Sequence, residues 1–291
     1  MNESAGVEAA TIPNALSFFG IGRAREISTP GFGMSNHNFL VRTDRGEFVV
    51  KLLAHQAPAN IEIEIAIQGQ LRAAGIGTPE YLRNADGQYL CRNAAVNAVV
   101  SRRIDGVTPR HMSVGLATDI GRHLALFHTS VRTVPHPNST SLLSPEVALV
   151  TSDVARTLPD QPLPRGIIHG DLHDGNVLVD PLNRDRVIAI LDFEEAGENL
   201  YLIDLAVTLM AVGAIWGGDV IEPELMRAAK RGYESVRGLT EQEIVWLPQA
   251  IMYASESWIN WFRANGHERY ARRHQGRYAS FVEIFGDDLA L

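Results

Sequence analysis

The pair Asp105-Gly106 separates two stretches of different hydrophobic periodicity, and this limits the folds open to the chain more than any other feature. Before it the pattern is largely that of strands. Residues 35–52, SNHNFLVRTDRGEFVVKL, hold two β-rich runs, Phe39 to Thr43 and Glu47 to Leu52, about a turn at Asp44-Arg45-Gly46, which predicts a hairpin. From Asn60 the spacing of Ile61, Ile65 and Leu71, with Glu62 and Glu64 between, predicts a helix that stops near Gly75 and Pro79. Tyr89 to Ile104 reads again as strand. After the break a helical pattern runs from about Val114 to His128, six prolines between 133 and 165 predict loops, and the chain beyond Pro223 reads as helices. The expected fold class is therefore α+β, with a small β-rich lobe over 1–104 and a larger, mostly helical lobe over 105–291. Clefts between such lobes are common ligand sites.

A chain of 291 residues with 45% hydrophobic and 21% charged residues can bury a substantial core without help. Its formal net charge of -8 and pI near 5.7 argue against a nucleic-acid footprint or an anionic membrane surface. The single cysteine, Cys91, excludes an internal disulfide and fits a reducing cytoplasmic setting. The N-terminus lacks the basic start and apolar run of a secretory signal, and the most apolar stretch, Leu202 to Gly218, reads as a buried helix.

The chemistry concentrates in GIIHGDLHDGNVLVD and the following RVIAILDFEEAGENLYLIDLA. Two apolar runs, Val177 to Val179 and Val187 to Leu191, flank a turn at Asn183-Arg184-Asp185, so a hairpin would bring His169, Asp171 and Asn176 to the same end as Asp192. Phosphoryl transfer asks for a carboxylate that takes the proton of the attacking hydroxyl, hard oxygen ligands for Mg²⁺, and a cation on the phosphates. Asp171 suits the first task and Asn176 with Asp192 the second. Lys51 suits the third: only two of the 26 cationic residues are lysines, and one of them ends an apolar strand, where a compact ammonium can meet phosphate. The plain alternative is a solvated lysine at a strand end.

HGDLHDGN followed by LDFEEAG resembles the catalytic loop and metal-binding motif of the protein-kinase-like small-molecule kinases, the superfamily of aminoglycoside phosphotransferases, choline kinases and type II homoserine kinases. The resemblance runs from GFGMSNHNFLV through VVKLL to the helical tail. It implies a bilobal protein-kinase-like fold with a small antiparallel sheet, ATP and Mg²⁺ as cofactors, and a small-molecule alcohol as acceptor. It also implies Asp171 as catalytic base, Asn176 and Asp192 as metal ligands, Lys51 on the α- and β-phosphates, and Glu64 as its ion-pair partner, with Glu62 the competing candidate. Gly31, Gly33, Ser35 and Asn36 would cover the phosphates, and adenine would lie against Val99 to Arg103, around Ser101. His169 and Asp204 would brace the loop, and His128 would be packed rather than reactive.

The alternation of His169, Asp171 and His173 also permits a transition-metal hydrolase, and a nucleotide-binding pseudokinase is a third reading. Against the first stands the loop-like segment with Gly170 and Gly175. Against the second stand Lys51, Asp171, Asn176 and Asp192, all present. The acceptor signals divide. RGYESVRGLTEQEIVWLPQAI and SNHNFLV resemble type II homoserine kinases, whereas DFEEAG resembles the corresponding segment of choline and ethanolamine kinases. All these acceptors carry an amine, which Glu194, Glu195 and Glu198 could pair with and Trp258 could cover. Polycationic aminoglycosides fit the same acidic group.

Overall fold

A computed structural model describes residues 3–29, 37–53, 57–92, 96–135, 143, 147–215 and 218–286. The chain divides into two compact units, one formed by 1–68 and 78–105, the other by 69–77 and 106–291.

In the first unit a helix, α1 (Glu3–Phe18), precedes an antiparallel sheet of β1 (Ala24–Ser28), β2 (His37–Thr43), β3 (Gly46–Leu53) and β4 (Asn97–Arg102), in the order β1-β2-β3-β4, and between β3 and β4 runs α2 (Pro58–Ala73), which belongs to this unit as far as Gln68. The β2–β3 turn is tighter than the sequence predicts: Thr43 pairs with Gly46, whose φ of 132° only glycine adopts easily, so two residues make the turn. The strand expected over Tyr89 to Ile104 reduces to β4, with Cys91 joined to Ala98 by an isolated bridge. Strand alternation sets the two faces of β3. Phe48, Val50 and Leu52 pack with Phe39, Val41 and Val100 against Ile12 and Leu16 of α1. On the other face Leu53 packs with Val99, Ile61 and Tyr81, and Lys51, paired in register with Val99, shares that parity. Each such buried side chain contributes roughly 1.5–3 kcal/mol.

The second unit begins with α3 (Val114–Ser130), whose Ser113 cap accepts from Leu116 N at 3.0 Å. Among the described residues the proline-rich stretch holds α4 (Asp153–Arg156) and one 3₁₀ turn. Two small two-stranded sheets follow: β5 (Arg165–Ile168) pairs with a later strand, while β6 (Val177–Val179) and β7 (Val187–Ile190) form the expected hairpin. The partner of β5 is β8 (Gly197–Leu200), a strand that the polar text GENL conceals. The apolar stretch from 202 becomes α5 (Tyr201–Val212), and the tail forms α6 (Pro223–Glu234), α7 (Glu241–Ala264) and α8 (Glu268–Phe285). Helices α3 and α6 cross at backbone contact, since a Cβ on Gly121 would lie 1.9 Å from Ala229 O and one on Gly232 the same distance from Thr118 O.

Candidate active site

The loop joining β5 to β6 carries His169, Asp171, His173 and Asn176, and Asp192 follows the end of β7 by two residues. The β6–β7 hairpin brings these ends together: Leu191 N donates to Asn176 O at 2.9 Å, so the residue before Asp192 is tied to Asn176. Asn176 turns its amide nitrogen to Asp171, donating to the main-chain oxygen at 2.8 Å and to Oδ2 at 3.1 Å. That fixes the carboxylate and leaves Asn176 Oδ1 as a ligand oxygen. Asp192 has φ of 59°, alone among the non-glycine residues described, and such left-handed backbone marks a residue held in place by its surroundings. The His169 ring supplies part of that hold through Nε2, 2.9 Å from Leu191 O. Gly170, with φ of 83°, lets the loop turn where a Cβ would meet Glu195 O at 2.7 Å.

Below the loop lies a buried polar chain. Asp204, in the first turn of α5 and fully buried, accepts from His169 N at 2.7 Å and Gly170 N at 2.9 Å, and its Oδ2 lies 2.8 Å from His128 Nε2. His128 Nδ1 lies 2.8 Å from the Tyr233 hydroxyl, which accepts from Arg237 at 3.0 Å, and Arg237 reaches Glu243 at 2.8 Å. Glu243 closes the capping box of α7 with Thr240. Because Arg237 supplies a hydrogen to the tyrosine oxygen, the Tyr233 O–H is left to donate to Nδ1, and His128 Nε2–H donates to Asp204. The charges agree with this. Burial lowers the His128 pKa and keeps the ring neutral, while burial opposes ionisation of Asp204 but the hydrogen bonds it accepts outweigh it and hold its pKa low. Tyr233 and Arg237 lie in RGYESVRGLTEQ, which the sequence reading used only as a family resemblance and gave no role in the site.

In the first unit Lys51 Nζ lies 3.3 Å from Glu64 Oε1, with 7% and 1% of the residues exposed. The other Glu64 oxygen accepts from Tyr81 O–H at 2.5 Å. The choice between the two glutamates follows from helix geometry: Glu64 falls one turn after Ile61 on the packed face of α2, whereas Glu62 points to solvent. Ser101 is buried on β4 opposite Val49 and bridged to Tyr81. Gly31, Gly33, Ser35 and Asn36 lie outside the described residues.

Asn176 Oδ1 and the Asp192 carboxylate could hold a hard divalent cation that keeps waters and phosphate oxygens as its other ligands, the habit of Mg²⁺. Among the described residues no group of three or more His, Cys, Asp or Glu is placed to hold a metal. His173 instead sits between carboxylates, Nε2 3.6 Å from Asp171 Oδ2 and Nδ1 3.3 Å from Asp174 Oδ1. Burial opposes its charge, but the two carboxylates outweigh burial and push its pKa up to about 10. Glu194 and Glu195 are half-buried just beyond Asp192, Glu198 is exposed on β8, and Trp258 packs in α7 with Trp261, Phe262 and His274.

Residues 26–239 match the family model described as "Phosphotransferase enzyme family" (APH). The chain belongs to the phosphotransferase enzyme family. It is 30% identical to a homoserine kinase of Gluconacetobacter diazotrophicus over 261 residues, covering 80% of this chain and 79% of that one. Among solved structures it resembles amicoumacin kinase hAmiN in complex with AMP-PNP, Ca²⁺ and Ami, with a TM-score of 0.74 over 96% of both chains at 15% identity. It also resembles a microcompartment-associated aminopropanol kinase, with a TM-score of 0.72 over 96% of this chain and 99% of that one at 19% identity. This phosphotransferase thus has the kinase-like α+β fold and is a small-molecule kinase whose acceptor group is a hydroxyl. No helix among the described residues is long and apolar enough to cross a membrane.

Proposed function

We propose that this phosphotransferase moves the γ-phosphoryl group of ATP, with Mg²⁺, to the hydroxyl of a small amine-bearing alcohol of the homoserine type. The observation that carries the reading is the loop geometry: Asn176 holds the Asp171 carboxylate through its amide nitrogen while its own chain is tied to the residue before Asp192. Asp171 accepts the proton of the attacking hydroxyl. Asn176 and Asp192 hold the metal, which when bound neutralises the phosphate charge. Lys51, kept in place by Glu64, meets the phosphates as a point charge. The homoserine assignment is supported by the 30% identity to a homoserine kinase across most of both chains.

The test is coupled ADP release with homoserine, choline, ethanolamine and an aminoglycoside, on the native protein and on Asp171→Asn. Transfer to one of the amine-bearing alcohols, reduced by roughly 10²-fold or more in the variant with folding intact, is the expected result. Near-full activity of Asp171→Asn, or no ADP release with any acceptor, refutes the reading.

A further inference from the structure

His173 caps the 3₁₀ turn Asp174–Asn176, its Nδ1 accepting from Gly175 N at 2.9 Å. The ring lies close on the turn. A Cβ on Gly175 would come within 2.5 Å of His173 Cε1 and 3.0 Å of Nδ1, so glycine there leaves the imidazole its room. Asp174 Oδ1 is also near Nδ1, at 3.3 Å. The other ring nitrogen, Nε2, is 3.6 Å from Asp171 Oδ2. A histidine whose task ended with the turn would need only Nδ1, and asparagine supplies an equivalent acceptor for such turns.

Nε2 carries a hydrogen in both protonation states of the ring. In the neutral form Gly175 N–H takes the lone pair of Nδ1 and leaves the hydrogen on Nε2, and the imidazolium has one on each nitrogen. At 3.6 Å the contact is that of an N–H dipole with a carboxylate rather than a formed hydrogen bond. Catalytic contacts of this length commonly shorten once substrate is bound. Asn176 Nδ2 donates to the same Oδ2 at 3.1 Å, but its amide is shared with the Asp171 main-chain oxygen at 2.8 Å. Oδ2 thus faces two donor groups, whereas among the described residues no donor reaches Asp171 Oδ1.

We infer that His173 is a positioning residue: together with Asn176 it holds Asp171 Oδ2, which makes Oδ1 the oxygen that takes the proton of the acceptor hydroxyl. The inference rests on the kinase reading above and adds to it the residue that aims the base. The proton passes from the hydroxyl to Oδ1 while the hydroxyl oxygen bonds the γ-phosphorus, and ADP leaves with the electron pair of the broken P–O bond. Neither Lys51 nor Glu64 takes part in the contact, so its loss slows transfer and leaves the affinity for ATP unchanged.

The experiment separates the two ring nitrogens. In His173→Asn the short amide keeps an acceptor for Gly175 N but has no group that reaches Asp171, whereas in His173→Gln the longer amide places an N–H where Nε2 stood. His173→Ser, whose hydroxyl can cap the same turn, repeats the first test with a smaller side chain. Single-turnover transfer from ATP is measured with whichever acceptor of the screen above gives the fastest ADP release on the native protein, and thermal unfolding checks that each variant folds. His173→Asn and His173→Ser should slow transfer roughly 10-fold, less than the ~10²-fold or more of Asp171→Asn, with KM for ATP unchanged. His173→Gln should recover most of that loss. Native transfer in His173→Asn, a His173→Gln no faster than His173→Asn, or a loss matched by a rise in KM for ATP overturns the inference; the kinase reading then still stands on Asp171→Asn. A native protein that releases no ADP with any acceptor is the separate failure that removes both.

Discussion

Replacing Tyr233 by Phe tests the buried chain beneath the catalytic loop. The substitution keeps the ring, which is fully buried, and deletes only the hydroxyl that lies between His128 and Arg237. His128 Nδ1 is then a buried acceptor with no donor, a loss of about 1–3 kcal/mol. The Arg237 guanidinium loses one acceptor but keeps Glu243 at 2.8 Å, so its share is smaller. The expected cost is about 2 kcal/mol, a fall in Tm of roughly 4–8 °C for a unit of this size. Because His128 in turn donates to the carboxylate that holds His169 N and Gly170 N, kcat should fall as well, with little change in KM for the nucleotide. Thermal unfolding followed by circular dichroism, together with steady-state kinetics on the same preparation, measures both. A Tm within 1 °C of the native value would show that the hydroxyl does not sustain the chain.

Asp192→Ala should remove the metal-dependent part of nucleotide protection in a thermal-shift assay, and unchanged protection would refute its role as a ligand. Gly121→Ala forces a methyl group to within 1.9 Å of Ala229 O, a main-chain atom unable to step aside, so α3 and α6 must separate at a cost of about 1–3 kcal/mol; a native-like denaturation midpoint would contradict the close crossing. Burial and the charges of Arg277, Arg273 and His173 hold the His274 pKa at about 3, while the unfolded chain takes up this proton near 6.5. More protons bind to the unfolded state in that window, so stability falls as pH drops from about 6.5 toward 3. The buried His128, whose pKa is also lowered, acts in the same direction. His274→Phe should flatten this acid limb, and a curve parallel to the native one would refute the assignment.

The hairpin β6–β7 and the helices after 223 were legible because each rests on local periodicity, whereas the pairing of Lys51 with Glu64 was expected only from the family resemblance, with Glu62 as its competitor. Helix α1 was not, since Pro13 inside it and the small residues of ESAGVEAATI hide the pattern that Ile12, Leu16 and Phe19 complete only on the sheet. Strand β8 was missed for a related reason: Glu198 faces solvent and only Asn199 and Leu200 are buried side chains, so the text is too polar to read as a strand without its partner β5. His173 was read only as a possible metal ligand. Its place between Asp171 and Asp174 depends on the loop's path, which sequence spacing leaves open. Likewise Tyr233 meets His128 across 105 residues of chain, and Arg277 meets Gly218 across 59.

The carboxylate of Asp204 is fully buried and holds His169 N and Gly170 N, so the strand end that delivers His169 is anchored through α3 and α6 to the first turn of α7. Damage at the Thr240 cap or at Arg237 therefore reaches the loop that carries Asp171. Warming should silence the enzyme and melt its helical unit at the same temperature, and selection for turnover in this chain is at once selection for a sound helical scaffold.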